Sequence, residues 1–296
     1  MTAANNDVGG GAVALRAPSR HRFGGDQVHA VPLFFAPTLD LSLPDLMLPF
    51  HERPVVVLSP HFDDGCYSLG TFLAAVGRGT LINIFTQGRH LRRRWVREQL
   101  SQADIVAIRN FEDQIFARRC GLERLDLGCE EPALRGRQVR DLTKVEDDVE
   151  QITSPLLHCL AGVAAGFTGR QRGFLFAPLG VGFHCNHRAV TEVVLRHLGA
   201  ISPRFDVMLY EDQPYSSSLW NRVKAIARIG RRLNTGFAAR YMLARPWPEK
   251  RALISLYSSQ LRNMPSRLRF WPRAVGSSGP HEAFWTFPLA QSSLRE

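Results

Sequence analysis

Residues 55–67 read VVVLSPHFDDGCY, and this stretch joins a buried strand to a histidine and two carboxylates. The run Val55–Leu58 is typical of a strand that is covered on both faces of a parallel sheet. His61, Asp63 and Asp64 follow it directly, at the sheet edge where α/β folds place their ligands. Adjacent carboxylates repel each other and lose hydration at a high cost unless a cation lies between them. The stretch therefore predicts a metal site, and the alternative is a surface turn whose aspartates cap a helix.

Short β-branched runs alternate with helical patterns from residue 55 onward. We expect strands at residues 55–58, 80–85, 124–127, 174–177 and 206–210. We expect helices at residues 67–76, 108–120, 144–165, 187–198, 216–232 and 247–262. This alternation predicts an α/β fold, a Rossmann-like three-layer sandwich with a mostly parallel sheet.

Composition divides the chain into four segments. Residues 1–30 are rich in Gly, Ala, Asn and Asp, and we expect them to form a disordered tail. Residues 31–53 are rich in Pro and Leu and predict an extended lead-in. Residues 54–264 carry the single α/β domain, and residues 265–296 predict an irregular C-terminal extension that covers one edge of the sheet or the site.

The composition also bears on the compartment of the protein. No apolar run reaches the roughly 18–20 residues that cross a bilayer, and no signal-peptide pattern is present in residues 1–30. Five scattered cysteines without a CxxC pair argue against a disulfide framework and suit a reducing cytosol. We therefore expect a cytoplasmic protein without a membrane span.

Arginine supplies nearly all of the positive charge in a chain whose net charge is +10. Such a surface can attract nucleic acid, anionic lipid or a phosphorylated substrate. No zinc finger, helix-turn-helix or RNA-binding signature accompanies the charge, which disfavours nucleic acid as a partner. A non-catalytic basic α/β protein that binds nucleic acid or anionic surfaces is the alternative to an enzyme. A nicotinamide-dependent oxidoreductase is disfavoured because no GxGxxG motif follows the first strand.

Residues 177–190 read APLGVGFHCNHRAV and predict a second strand-to-helix junction. Asn186 is placed to cap a helix that begins at His187. Because both junctions lie on the same sheet edge, we expect His184 and His187 to face His61 and Asp64. Zinc hydrolases typically use three protein ligands, and His61, Asp64 and His187 make such a set.

The two adjacent aspartates of the first junction can have different roles. Successive side chains of an extended segment point in opposite directions. Asp64 can therefore face the metal while Asp63 faces the attacking water and accepts its proton. His184 is left for the other side of the scissile group.

The two junctions together resemble the zinc-dependent de-N-acetylases of the PIG-L/LmbE type. That family shows a PHPDDE-like motif after a strand and an HPDH-like motif at the start of a helix. Here the motifs read PHFDDG at residues 60–65 and HCNH at residues 184–187. Three further segments follow in the family's order, a T-x-G turn at 86–88, an R-x-x-E segment at 109–112 and a K…Y-x-SQ segment at 250–260. The resemblance spans residues 55–260 and implies a deacetylase domain over residues 54–264.

The resemblance assigns a role to each residue of the motifs. It implies one zinc ion per chain, held by His61, Asp64 and His187, although other divalent metals fit the same ligands. By the same comparison Asp63 is the general base, and His184 is the acid or the group that stabilises the oxyanion.

The resemblance also implies a substrate, an N-acetylglucosamine-type sugar or glycoconjugate that is hydrolysed to acetate and a free amine. Arg109 would contact the sugar, and Glu131 is a weaker candidate for the same pocket. Residues 210–215 either line the substrate rim or form a plain connecting loop. The abundant arginine favours an anionic acceptor such as a phosphorylated or nucleotide-linked sugar. The oligomeric state is not readable from the sequence.

Three positions depart from the family pattern. Phe62 replaces a proline, which should affect only the stiffness of the turn. Gly65 replaces an acidic residue, which removes a charge and should enlarge the pocket. Asn186 replaces an aspartate beside His184, so the pKa of His184 should fall and acid catalysis should weaken. A catalytically impaired deacetylase relative is therefore a second alternative.

Overall fold

The computed structural model describes residues 36–92, 98–234, 236–244, 246–261 and 281–286. Within these residues, eight strands form one sheet in the order β1-β7-β8-β6-β5-β2-β3-β4. The strands are Thr38–Asp40 (β1), Val55–Ser59 (β2), Gly79–Asn83 (β3), Leu122–Asp126 (β4), Gly173–Pro178 (β5), Phe205–Tyr210 (β6), Ala239–Ala244 (β7) and His281–Thr286 (β8). All neighbouring strands are parallel except that β8 runs antiparallel to β6 and β7.

Helices cover both faces of this sheet. They are Pro44–Glu52 (α1), Asp64–Val76 (α2), Gln102–Arg119 (α3), Val145–Ala165 (α4), Cys185–Arg196 (α5), Leu198–Ile201 (α6), Leu219–Leu233 (α7) and Trp247–Ile254 (α8). One hydrophobic cluster joins the sheet to α4, α5 and α7, and a second joins it to α1, α2, α3 and α8. The predicted three-layer sandwich with a mostly parallel sheet is confirmed.

Strand β2 shows why the apolar run of the first motif lies at the centre of the sheet. It pairs with β3 on one side and β5 on the other, and all five of its residues are buried. Val56 and Leu58 enter the first hydrophobic cluster, whereas Val55 and Val57 enter the second. A strand that faces helices on both sides needs apolar side chains at every position, which is what this sequence supplies.

The predicted extended lead-in at residues 31–53 is wrong for its second half. Residues Pro44–Glu52 form α1, which begins with a proline in its first turn, a position where the missing N–H costs nothing. Phe50 is fully buried and packs against Phe72 and Phe174, with ring centroids 5.2 and 4.6 Å away. The helix was missed because Pro49 lies inside it and proline is unusual in a helix interior.

The predicted irregular extension at 265–296 is wrong where the structure describes it. Residues His281–Thr286 form β8, which is inserted between β6 and β7. The helix predicted at 247–262 ends at Ile254 instead. The predicted tail, residues 1–30, lies outside the described residues. No helix in the described part of the chain is long and apolar enough to cross a membrane.

Candidate metal centre

Two neighbouring strands deliver the two motifs to one edge of the sheet. β2 leads into α2, and β5, which pairs with β2, leads into α5. Helix α5 begins two residues earlier than the sequence predicted, because His184 rather than Asn186 occupies the N-cap. The carbonyl of Val139 accepts a hydrogen bond from the first helical N–H, that of Cys185, at 2.9 Å. A loop carbonyl therefore does what the side chain of Asn186 was expected to do.

His61, Asp64 and His187 are brought together as a buried cluster. Their candidate ligand atoms all lie within 4.8 Å of one another. Asp64 Oδ2 is 2.8 Å from His61 Nδ1 and 3.2 Å from His187 Nε2. These are the donor atoms, two imidazole nitrogens and one carboxylate oxygen, that a catalytic zinc site uses. The residues therefore fit a divalent cation, and their role as metal ligands stays a prediction.

The electrostatics of this cluster favour positive charge. Burial lowers the pKa of His187, but Asp64 and Asp212 outweigh burial and raise it to about 10. Burial raises the pKa of Asp64, but His187 and His61 hold it well below its usual range. A pocket that keeps a carboxylate ionised and an imidazole protonated favours positive charge, so it also favours a bound metal cation.

Asp212 is a candidate functional residue that the sequence analysis did not single out within residues 210–215. Its Oδ1 lies 2.7 Å from His187 Nδ1, and its Oδ2 accepts a hydrogen bond from the N–H of Val181 at 3.0 Å. A carboxylate on the outer nitrogen of a ligating histidine fixes its tautomer and ring orientation. The residue follows β6 at the carboxyl edge of the sheet, and that position was the available signal. Residues 210–215 are therefore more than a plain connecting loop, because Asp212 contacts the candidate ligand His187.

Asp63 lies beside the cluster as the N-cap residue of α2. Burial and the neighbouring Asp64 raise the pKa of Asp63 to about 6, against the opposing effects of Arg109 and His61. A carboxylate with this pKa is ionised at neutral pH and is still basic enough to hold a proton. The position and the pKa both suit a general base.

His184 packs against the two histidines of the cluster. Its ring centroid is 4.6 Å from that of His61 and 5.1 Å from that of His187. Burial, followed by the charges of His61 and His187, holds the pKa of His184 well below its usual range. Its Nδ1 is buried without a hydrogen-bond partner among the described residues. The ring is therefore neutral at pH 7, and one of its nitrogens has unused hydrogen-bonding capacity.

The effect that the sequence analysis assigned to Asn186, a lowered pKa of His184, stays a prediction. Asn186 points its amide nitrogen at His61 Nε2, at a distance of 2.9 Å, and is fully buried. The pKa of His184 is lowered first by burial and then by the other histidines.

The other two departures also act differently from what was expected. A Cβ at Gly65 would lie 2.9 Å from Leu81 Cδ1, so this glycine lets α2 approach β3 and does not enlarge the pocket. Phe62 is buried beneath two guanidinium groups, with Arg109 at 5.8 Å and Arg124 at 5.6 Å from the ring centroid. It therefore forms cation–π contacts and does more than set the stiffness of the turn.

Arg109 is buried in an ion pair next to the cluster of candidate metal ligands. Its Nη1 donates to Glu131 Oε1 at 2.5 Å. A Cβ at Gly88 would lie 2.3 Å from the Glu131 carboxyl carbon, so the T-x-G turn leaves room for this pair. Asp63 and Asp64 also lie close enough to act on the Arg109 charge. That Arg109 contacts a sugar stays a prediction, and Glu131 is shown to be its partner.

The aromatic side chains at the edge of the cluster come from two loops. Tyr215 sets its ring edge against His187, with centroids 5.5 Å apart. Gly182 has φ +91, and a Cβ there would lie 3.0 Å from the Tyr215 ring. Phe183, directly before His184, is 51% exposed. The glycine-rich loop thus packs on Tyr215 while it presents an aromatic ring to solvent.

A curated relative was found by sequence comparison, whereas no protein-family model matches the chain. The relative is the 2'-N-acetylparomamine deacetylase of Streptomyces fradiae, which is 33% identical over 173 residues. The match covers 54% of this chain and 57% of the relative, so the chain spans little more than half of the relative's length.

Solved structures with a similar fold are also deacetylases. The A40926 pseudoaglycone deacetylase Dbv21 gives a TM-score of 0.56 at 18% identity, covering 79% of this chain and 96% of that chain. A zinc-inhibited form of the teicoplanin deacetylase Orf2 gives a TM-score of 0.54 at 17% identity, covering 78% and 97%. The chain has the fold of these deacetylases. The predicted fold class is thereby confirmed, and the similarity to a curated deacetylase agrees with the resemblance drawn from the sequence.

Proposed function

We propose that the protein is a metal-dependent amidohydrolase that removes an N-acetyl group from an N-acetylglucosamine-type sugar or glycoconjugate. The products would be acetate and a free amine. The observation that carries this proposal is the buried His61, Asp64 and His187 cluster, with Asp63 beside it, on a fold shared with solved deacetylases. The similarity to the paromamine deacetylase supports the same chemistry.

The three clustered residues would hold the cation, and Asp212 would keep His187 in the ligating tautomer. Bound there, a divalent metal would act as a Lewis acid that polarises the acetyl carbonyl. We propose Zn²⁺ as that metal because its preferred ligands match this donor set. One structural neighbour is described as a zinc-inhibited form, so the active metal has to be identified by titration.

Asp63 would take the proton of the attacking water. Because the pKa of Asp63 is raised to about 6, the carboxylate is ionised at pH 7 and can retain that proton until the amine leaves. The departing nitrogen is a poor leaving group unless it is protonated, so the same residue would return the proton to it.

His184 would stabilise the negative charge that develops on the acetyl oxygen. Its low pKa keeps the ring neutral, so it would act as an N–H donor and not as an imidazolium acid. A single donor of this kind typically accelerates acyl transfer by on the order of 10²–10³-fold.

Arg109 and Glu131 would form the polar wall that orients the sugar. Their ion pair lies at the same sheet edge as Asp63, whose charge acts on the guanidinium. Sugar hydroxyls can accept from an arginine and donate to a glutamate, which suits this pair. We propose a small-molecule or glycoconjugate substrate, acted on in the cytoplasm, where five free cysteines are expected to stay reduced.

The test is an acetate-release assay on the full chain. The protein is stripped of metal, reloaded separately with Zn²⁺, Co²⁺ or Mn²⁺, and incubated with a panel of N-acetylglucosaminides that includes N-acetylated aminoglycosides. We expect metal-dependent acetate release from at least one member of the panel, and its loss in Asp63→Asn. Absence of acetate release with every metal and every substrate would contradict the proposal.

A further inference from the structure

Arg188 is a cation whose charge the described fold does not pair. It lies in the first turn of α5, and its side chain is half-buried. Its Nε is buried without a hydrogen-bond partner, and its guanidinium group makes no hydrogen bond or salt bridge to any other residue that the structure describes. Burial of a charged group costs free energy unless the group is paired. The fold alone therefore does not explain this side chain.

Arg228, in the third turn of α7, brings a second cation to the same place. Its Nη2 donates to the carbonyl oxygens of Leu179 at 2.9 Å and Gly180 at 3.1 Å, which carry no charge to match it. A Cβ at Gly180 would lie 2.7 Å from Arg228 Nη2 and 3.6 Å from Arg188 Cα. Two helices thus direct an arginine each to the turn that follows β5.

Positive charge is in excess around these two arginines. Burial, and after it the charge of Arg188, lower the pKa of Arg228 to about 10, so Arg228 is still a cation at neutral pH. Asp212 and Glu192 act in the opposite direction without cancelling that effect. Glu192, which also acts on Arg188, is shared with one further arginine of α5 and one of α7, whose Nε atoms each lie 3.7 Å from its Oε2. Such an excess of cations attracts an anion.

We propose that Arg188 and Arg228 form an anion-binding site that takes a phosphate group. A phosphate monoester carries a charge of about −1.5 to −2 at neutral pH, which matches two cations. Its oxygens accept hydrogen bonds from guanidinium groups, and the planar fork of an arginine fits two of them at once. The phosphate would thereby satisfy the donors of Arg188 that the fold leaves unused.

The proposed anion site adjoins the metal centre along the chain. Arg188 directly follows the candidate ligand His187. The turn that Arg228 holds continues into Val181, whose N–H donates to Asp212 at 3.0 Å. A phosphate bound here can belong to the substrate or be a free anion. The inference goes beyond the proposed deacetylation, because binding a phosphate requires no hydrolysis.

The test is isothermal titration calorimetry of the full-length protein with inorganic phosphate. It compares the unaltered protein, Arg188→Gln, and Arg118→Gln, which removes the same charge from an exposed position in the last turn of α3. We expect Arg188→Gln to weaken phosphate binding at least about tenfold, and Arg118→Gln to match the unaltered protein. Equal binding by the unaltered protein and Arg188→Gln would overturn the proposal, and so would an absence of binding at millimolar phosphate.

Thermal denaturation separates a lost site from a damaged fold. Because the Arg188 guanidinium bonds to no described residue, Arg188→Gln should have the Tm of the unaltered protein when phosphate is absent. Phosphate should raise the Tm of the unaltered protein and of Arg118→Gln, but not that of Arg188→Gln. Phosphate binding that disappears when Zn²⁺ is removed from the unaltered protein would place the anion on the metal and would also overturn the proposal.

The source of the phosphate is decided by the kinetics of acetate release. A KM for N-acetylglucosamine 6-phosphate that is below the KM for N-acetylglucosamine in the unaltered protein, but equal to it in Arg188→Gln, assigns the phosphate to the substrate. Equal KM values in the unaltered protein assign the site to free phosphate. Absence of acetate release refutes the proposed function, whereas the titration needs no turnover and still decides whether the anion site exists.

Discussion

Glu211 offers the most quantitative test of how the structure supports the site, because it immediately precedes Asp212. Its Oε1 accepts from Arg240 Nε at 2.8 Å and from Trp285 Nε1 at 3.1 Å, and its Oε2 accepts from Arg222 Nη1 at 3.3 Å. Although burial raises the pKa of Glu211, Arg240 and Arg222 together lower it from 4.5 to about 2. The carboxylate therefore ties β6 to β7, β8 and α7 as an anion.

The magnitude of this effect follows from the pKa shift. A fall of about 2.5 units at about 1.4 kcal/mol per unit corresponds to about 3 kcal/mol of folding free energy at pH 7. Because the folded-state pKa is depressed, this stability is complete above pH 4.5 and is lost as the pH falls through about 2. Near pH 3 about 1 kcal/mol should remain.

The variant is Glu211→Gln, and the assay is urea denaturation between pH 7 and pH 3. We expect a loss of about 3 kcal/mol at pH 7 that shrinks as the pH falls, because the unaltered side chain becomes protonated as well. Glu123→Gln, at an exposed position of β4, is the matched control and should change stability by less than about 0.5 kcal/mol. A loss that stays constant from pH 7 to pH 3, or that is below about 1 kcal/mol at pH 7, would refute the reasoning.

The remaining predictions concern the site. Asp63→Asn should keep the metal and lose at least about 10²-fold in turnover, whereas His187→Ala should lose both metal and turnover. Metal content and acetate release are measured for each variant. Parental turnover in Asp63→Asn would be incompatible with its role as base. Asp212→Asn should weaken Zn²⁺ binding by about 10- to 100-fold, and an unchanged affinity would exclude an orienting role. Gly88→Ala should lower kcat/KM by displacing Glu131, while Gly162→Ala, where a Cβ meets nothing within 4 Å, should be neutral; equal values would contradict the steric argument.

The first half of the site could be predicted because its information is local. His61, Asp63 and Asp64 follow a strand whose apolar run is itself diagnostic, and the edge rule for parallel sheets places them together with His187. The structure brings the predicted ligands within reach of one cation. A pattern that depends on one strand and the turn after it is readable from the sequence.

What the sequence did not reveal depends on contacts between distant segments. Asp212 lies 25 positions from His187, and nothing in its own neighbourhood marks it as that histidine's partner. Asn186 was assigned to His184 by proximity along the chain, yet it contacts His61, 125 positions away. Strand β8 was missed for the same reason, because its place in the sheet depends on pairing with β6 and β7, which lie far from it in the sequence.

The arginine excess has a structural explanation in the described residues. Arg53 and Arg172 both pair with the buried Asp206, and Arg135 and Arg137 both pair with the buried Asp148. Two guanidinium groups on one buried carboxylate neutralise its charge and fix the segments that carry them. Part of the positive charge thus stabilises the fold, which weakens the case for a nucleic-acid-binding surface.

Strand β8 makes the completion of the sheet a late event. Among the strands that the structure describes, β8 alone joins β6 to β7, and the N–H of Glu211 donates to the carbonyl of Ala283 at 2.9 Å. Pairings between residues so far apart form slowly, because a long loop must close before they contribute stability. Until ribosomal synthesis delivers residues 281–286, the carboxylate that steadies His187 rests on a strand with one unpaired edge. A nascent chain should therefore acquire its affinity for a metal ion only after this last insertion.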